Sequence, residues 1–170
     1  MKWSTHKLVR LALFLAIGVI LNIIERAINI PLLPGMRLGL ANTIGLIVLF
    51  FYGPLEFVLI GFLRVLLASL YGGFGVSFFI SLAGWGLSSL VILGLYFFKK
   101  LSIFGLSMIS AVMHGLGQVI VVAIIYQSIY MFAYFPALVV SGLVSGWLIA
   151  LISREVLRRI PEREVINHGQ

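Results

Sequence analysis

The chain has 170 residues, of which 62% are hydrophobic and 10% charged, an apolar share well above and a charged share well below those of a soluble domain. Its formal charge of +7 comes from Lys and Arg residues grouped in short clusters beside apolar runs, the pattern of membrane topology signals, and this excludes the basic stripe of a nucleic-acid-binding surface. Cysteine is absent, so disulfides, thiolate metal sites and cysteine nucleophiles are excluded as well.

In chain order, Lys2, Lys7 and Arg10 precede an apolar run from Leu11 to Leu21. The next residues, Asn22-Ile-Ile-Glu25-Arg26, carry no small-x-small cleavage pattern, so the run is predicted to be a first transmembrane helix over about residues 8–28 rather than a signal peptide. A Pro/Gly-rich loop, Pro34-Gly35-Met36-Arg37, then leads into a second apolar segment, about 40–52. Arg37 in that loop and Asn42-Thr43 at the mouth of the helix place polar groups where a membrane core begins, a position suited to receiving a polar ligand.

Gly53-Pro54 punctuates the next turn, since proline suits the first turn of a helix and disrupts its interior. Segment three covers about 55–70, and Tyr71-Gly72-Gly73-Phe74-Gly75 breaks the chain before segment four, about 76–98. Lys99-Lys100 closes that segment, and segment five runs over about 103–126. An aromatic connection through Tyr130, Phe132, Tyr134, Phe135 and Pro136 leads to segment six, about 137–158, apolar to Ile152 and basic beyond it. Several segments approach the ~20 residues needed to cross a bilayer, whereas segments two and three are short, which implies thin, tilted or buried helices. The predicted fold is an all-α integral membrane protein, a compact bundle of six transmembrane helices forming a single domain over residues 1–170.

The cations orient the bundle. With the N-terminus cytoplasmic, Lys2, Lys7, Arg10, Lys99, Lys100 and the tail from Arg154 to Arg163 all fall inside, leaving Arg26 and Arg37 in an outer connection. Both termini are therefore expected in the cytoplasm. Glycines recur on every segment and allow close helix approach, as in the small-x-x-x-small face Gly142-Leu-Val-Ser-Gly146. Ala12-Leu-Phe-Leu-Ala16 forms a comparable face near the cytoplasmic end of segment one, a groove for another protein's helix.

Polar residues inside apolar segments carry the functional information. Arg64 lies ~15 Å into segment three at 1.5 Å per residue, where an unpaired guanidinium costs several kcal/mol and needs a partner or a wet cavity. Glu56, eight residues away, shares its face without reaching it. His114 and Gln118 are four apart and hence on one face of segment five, near mid-depth. Asn22, Glu25, Arg26 and Asn29 crowd the outer end of segment one, with Glu25 and Arg26 expected at a solvated helix end. The threading gathers Asn22, Arg37, Asn42, Tyr71 and Ser77 toward the outer side, above Arg64, His114 and Gln118. One outward-facing pocket is predicted, taking an anionic group such as a phosphate, diphosphate or carboxylate, with an apolar remainder among Phe74, Phe78, Trp85 and Tyr126.

The motifs of ATP hydrolysis and hydrolytic catalysis are missing. No G-x-x-x-x-G-K-[ST], H-E-x-x-H or G-x-S-x-G occurs, and the chain contains no aspartate. An enzyme is not expected, nor a cofactor or metal. A transporter of this kind would draw energy from a partner or an ion gradient, the latter with His114 as a proton group.

Three features carry a resemblance: Arg37-Leu38-Gly39-Leu40-Ala41-Asn42-Thr43, the segment-three ending Arg64-Val-Leu-Leu-Ala68-Ser-Leu-Tyr-Gly-Gly73, and the six-helix length. Over nearly its whole length the chain resembles the Gx transporter family, also labelled heptaprenyl diphosphate synthase component I. That family is in turn similar to the substrate-binding S components of energy-coupling factor transporters. The resemblance implies a six-helix protein that binds a vitamin-, flavin- or isoprenoid/quinone-precursor-like ligand from outside. It implies gating by the connection holding Arg37, docking on a transmembrane scaffold through Ala12 and Ala16, and energy from two ATPase subunits. The label raises an alternative, a non-catalytic membrane subunit of heptaprenyl diphosphate synthase or an accessory protein of isoprenoid or quinone synthesis. Prenyl diphosphate synthases hold magnesium and diphosphate with aspartate-rich clusters, and a chain without aspartate lacks that equipment.

Overall fold

Glycine and proline set the helix boundaries of this chain. The computed structural model describes residues 4–27, 40–98 and 101–159. Helix α1 spans Thr5–Ala27, α2 Leu40–Tyr52, α3 Pro54–Gly72, α4 Val76–Phe97, α5 Ile103–Ile125 and α6 Phe135–Arg159, with a 3-10 turn over Ile129–Tyr134 before the last. At the α2–α3 junction Gly53 has φ 101°, a left-handed conformation that suits glycine, and Pro54 stands in the first turn of α3. The chain thereby reverses within a single residue. Ser102 caps α5, its hydroxyl accepting from the Gly105 amide at 3.3 Å.

The sequence-predicted boundaries hold to within a few residues. Helix α3 runs two residues past the expected end, and α6 begins at Phe135 because the aromatic connection winds directly into it as a 3-10 turn. All described regular structure is helical, and α1, α3, α4, α5 and α6 are long and apolar enough to cross a membrane. Helix α2 is shorter than a span, so among the described residues five of the six expected transmembrane helices have spanning length.

Burial explains the short helix. Ile44, Ile47, Val48, Phe51 and Tyr52 of α2 join Leu11 and Ile60 in one core cluster, while Leu46 and Leu49 join Phe57, Ile92, Leu106 and Ile149 in another. A helix that is hydrophobic on all sides belongs in the interior. Accordingly, α2 packs on α1, α3 and α6, while α4, α5 and α6 form the most closely packed neighbours.

Those close crossings depend on glycine. A Cβ on Gly146 would lie 2.7 Å from Met108 Cα and one on Gly142 3.3 Å from the Ala111 backbone, so the expected small-residue face of α6 is where α5 meets it. Gly117 plays the same part against Ala83 of α4, where a Cβ would come within 2.5 Å of the carbonyl oxygen.

Beside its apolar core clusters the bundle buries polar groups and exposes large apolar ones. Arg64, Glu25, Ser69, Ser88, Ser107 and Ser153 are buried, whereas Leu90 and Ile124 are 72% and 68% exposed. Such a surface suits an apolar surround better than water.

Candidate functional site

All six helices turn polar side chains toward one interior cavity, α4 with Ser81. Helix α1 supplies Asn22 and Glu25, three apart on one face, and α2 supplies Asn42 from its first turn. Helix α3 contributes Arg64, α5 contributes His114 and Gln118 one turn apart, and α6 contributes Ser141 and Ser145. The cavity volume is about 80 Å³, enough for several waters or one compact polar group.

Arg64 is 7% exposed and donates from Nη2 to Asn42 Oδ1 at 2.8 Å, its one side-chain hydrogen bond among the described residues. Its stem passes α1 where a side chain is missing: a Cβ on Gly18 would stand 3.2 Å from Arg64 Cδ. A guanidinium offers five N–H donors in a fixed fork, a geometry that matches carboxylate and phosphate oxygens. Most of these donors are left for the cavity. The Glu25 carboxylate attracts the guanidinium electrostatically and is itself only 8% exposed.

Opposite, the side chains of Gln118 and His114 meet at 3.2 Å, Nε2 to Nε2. An amide nitrogen only donates, so this contact is a hydrogen bond in the tautomer that leaves His114 Nε2 unprotonated. Gly84 of α4 makes room for both side chains, since a Cβ there would approach each of them to 2.9 Å.

Of the six sequence-predicted ligand residues, Asn22, Asn42, Arg64, His114 and Gln118 all line this cavity. Arg37 lies outside the described residues. The predicted docking residues Ala12 and Ala16 are exposed on α1.

Three expectations are corrected. Glu25 is not part of a solvated helix end: it is buried and faces the cavity, because α1 packs against α2 and α3 at that level. The apolar remainder of the pocket is not aromatic. Phe74 and Tyr126 are exposed and Phe78 stacks on Phe74 and Phe79 away from the cavity, while Trp85 lines a separate, smaller cavity. Tyr71 is 71% exposed and Ser77 does not reach the cavity either. The α3–α4 turn thus stands apart from the site, whose apolar wall is made by Ala41, Val65, Ala111 and Leu138 with Gly115 and Gly142. Glu56 does remain apart from Arg64, as the helical spacing requires. It pairs with Lys7 at 2.6 Å, an ion pair that ties the start of α1 to the start of α3.

Ser81, Ser141, Ser145 and Glu25 are cavity residues that sequence reasoning missed. A signal was present on α6, where Ser141 and Ser145 are four apart and flank Gly142 on the face turned to α5.

A family model described as heptaprenyl diphosphate synthase component I matches residues 14–156. That stretch contains every residue of the cavity named above. No curated protein and no solved structure matches the chain.

Proposed function

Because the chain belongs to the heptaprenyl diphosphate synthase component I family, we propose that it is a multi-pass membrane protein that binds a small ligand, acting as the substrate-binding component of an energy-coupling-factor-type transporter. Buried Arg64 is the observation that carries this reading: an interior guanidinium bonded among the described residues to Asn42 borders a cavity shared with Glu25, His114 and Gln118. Intramembrane charge is expensive and is retained where a ligand or ion uses it. The ligand presents an anionic oxygen group to Arg64 and hydrogen-bonding groups to Asn22, Asn42 and the His114–Gln118 pair. Of vitamin-, flavin- and isoprenoid- or quinone-precursor-like compounds, the cavity of about 80 Å³ takes the compact polar head group.

Both termini face the cytoplasm in this reading, which places the Lys7–Glu56 pair at the cytoplasmic end and the Asn22 end of α1 outside. Ala12 and Ala16, exposed on α1, form the face that meets a transmembrane scaffold, and two ATPase subunits supply the energy. The chain does no chemistry of its own. The sequence contains no aspartate, whereas prenyl diphosphate synthases hold magnesium with aspartate oxygens.

The family description favours a second reading, a non-catalytic membrane subunit that assembles with a soluble prenyltransferase. Purification from the native host in mild detergent, with mass spectrometry of the proteins and small molecules retained, separates the two. An ATPase–scaffold assembly carrying a stoichiometric small molecule supports the transporter component. A preparation that retains only a prenyltransferase overturns it and returns Arg64 to a packing role.

A further inference from the structure

Below the Arg64–Asn42 bond lies a second cavity of about 30 Å³ that the ligand reading does not use. Arg64, Asn42 and Ala111 line both cavities, so the bond stands as the partition between them. The order of residues along the helices sets their relation. On α5, Gln118 and His114 face the first cavity and Ser110 and Ser107 the second, and on α4 Ser81 faces the first and Trp85 and Ser89 the second. The second cavity therefore continues the first along the bundle axis, toward the end where α5 begins.

Its walls hold two polar atoms that no group among the described residues satisfies. Ser89 is 5% exposed and its hydroxyl has no hydrogen-bond partner, and the Trp85 Nε1–H is likewise buried without an acceptor. The two residues are four apart on α4 and so project from one face. The neighbouring hydroxyls of Ser88 and Ser107 donate to the Trp85 carbonyl at 3.0 Å and the Gly146 carbonyl at 2.7 Å, and no hydroxyl among the described residues accepts from the indole. Gly61 of α3 packs directly against the indole nitrogen, leaving no side chain there to accept from it. An orphaned buried polar group costs about 1–3 kcal/mol, and an indole N–H is a donor only. A cavity of this size admits a group of water dimensions, which needs about 10–15 Å³.

We infer that this inner cavity is a binding site for a hydrogen-bond-accepting oxygen, held between Trp85 Nε1–H, the Ser89 hydroxyl and the inner side of Arg64. The oxygen belongs to a trapped water or to a hydroxyl or carbonyl group of a molecule bound across the partition. In either case it completes the hydrogen bonding of the α4 face and braces Arg64 from below. The unsatisfied donors call for it whether or not the chain serves a transporter.

Three tryptophans, Trp3, Trp85 and Trp147, make the test tractable. The full chain is labelled with 15N-tryptophan in lipid nanodiscs, and Trp85→Phe assigns the indole resonance. The expected spectrum has the Trp85 indole proton in the hydrogen-bonded, downfield range with a through-space cross-peak. A cross-peak to water identifies a trapped water, and one to carbon-bound protons of a co-purified molecule identifies a ligand oxygen. Ser89→Ala is expected to shift this resonance and leave those of Trp3 and Trp147 in place. A Trp85 indole resonance with no cross-peak of either kind in the unmutated protein overturns the inference, and that spectrum decides even where the alanine variant fails to fold.

Discussion

Arg64 on α3 and Asn42 on α2 are joined by a 2.8 Å hydrogen bond that forms the floor of one cavity and the roof of another. Asn42 is the only described acceptor for a buried charge, so the pair fixes where the guanidinium fork points. Arg64→Lys keeps the charge and loses the fork. The co-purified small molecule is expected to bind roughly 10- to 100-fold more weakly in this variant, the worth of one charge-assisted hydrogen bond of about 1.5–3 kcal/mol. Retention of the molecule at unchanged stoichiometry and affinity would remove Arg64 from the binding site.

Asn42→Ala tests the same bond from the other side. It strips the buried guanidinium of its partner, and leaving such a group unsatisfied costs about 1–3 kcal/mol or more. A lower melting temperature in detergent is expected, with partial recovery when the bound molecule is supplied in excess, because a ligand selective for the folded state stabilises it.

A second electrostatic tie stands at the opposite end of the bundle. Lys7 Nζ and Glu56 Oε1 are 2.6 Å apart with the lysine also over the Tyr52 ring, and their side chains are 18% and 6% exposed. Glu56→Gln is expected to cost roughly 1–3 kcal/mol, below the ~3–5 kcal/mol of a fully buried pair because Lys7 keeps contact with solvent. Lys7→Met combined with Glu56→Leu should recover most of that loss, and thermal unfolding of the single and double variants measures the coupling.

The glycines divide into two groups that melting experiments can separate. Gly117→Ala and Gly146→Ala force a Cβ into backbone atoms of the neighbouring helix at 2.5 Å and 2.7 Å, so each is expected to loosen the α4–α5 or α5–α6 crossing and lower the melting temperature sharply. At Gly94 nothing lies within 4 Å of the added atom. Gly94→Ala should therefore be neutral or stabilising by up to ~1 kcal/mol through helix propensity. Equal effects at Gly94 and Gly146 would show that the α5–α6 crossing is looser than its geometry states.

Much of this arrangement is legible in the sequence because charge and amide groups are costly in apolar segments and must converge. Depth alone gathers Asn22, Asn42, Arg64, His114 and Gln118, and they line one cavity. Depth does not resolve which way a helix end is rotated. Glu25 reads as a solvated terminus and is buried because α1 leans on α2 and α3 there. The aromatic residues mislead for the opposite reason. In an apolar surround a phenylalanine gains little by turning inward, so Phe74, Phe79 and Tyr126 remain outside while small residues close the cavity. Serines are weak site signals even at the spacing of Ser141 and Ser145, since a hydroxyl in a helix is equally at home on the backbone carbonyl of the preceding turn, as Ser141 is on Leu138.

The docking face offers the sharpest separation of binding from assembly. Ala12 and Ala16 are exposed on α1, among outward-facing Leu13, Ile17 and Ile20. They lie on the opposite side of the helix from Leu11 and Gly18, which face the bundle interior. A tryptophan at either alanine fills the groove between successive turns without entering the core, so the fold and the cavity should be untouched. If the proposed transporter reading holds, Ala12→Trp and Ala16→Trp each abolish recovery of the proposed ATPase–scaffold partners while the small molecule is retained at unchanged stoichiometry. Leu90→Trp, on the equally exposed outer face of α4, is the matched control and should leave the assembly intact. Recovery of the partners with both α1 variants would place the docking surface elsewhere on the bundle. Loss of the partners together with the small molecule would instead mean that the ligand cavity depends on the assembled complex.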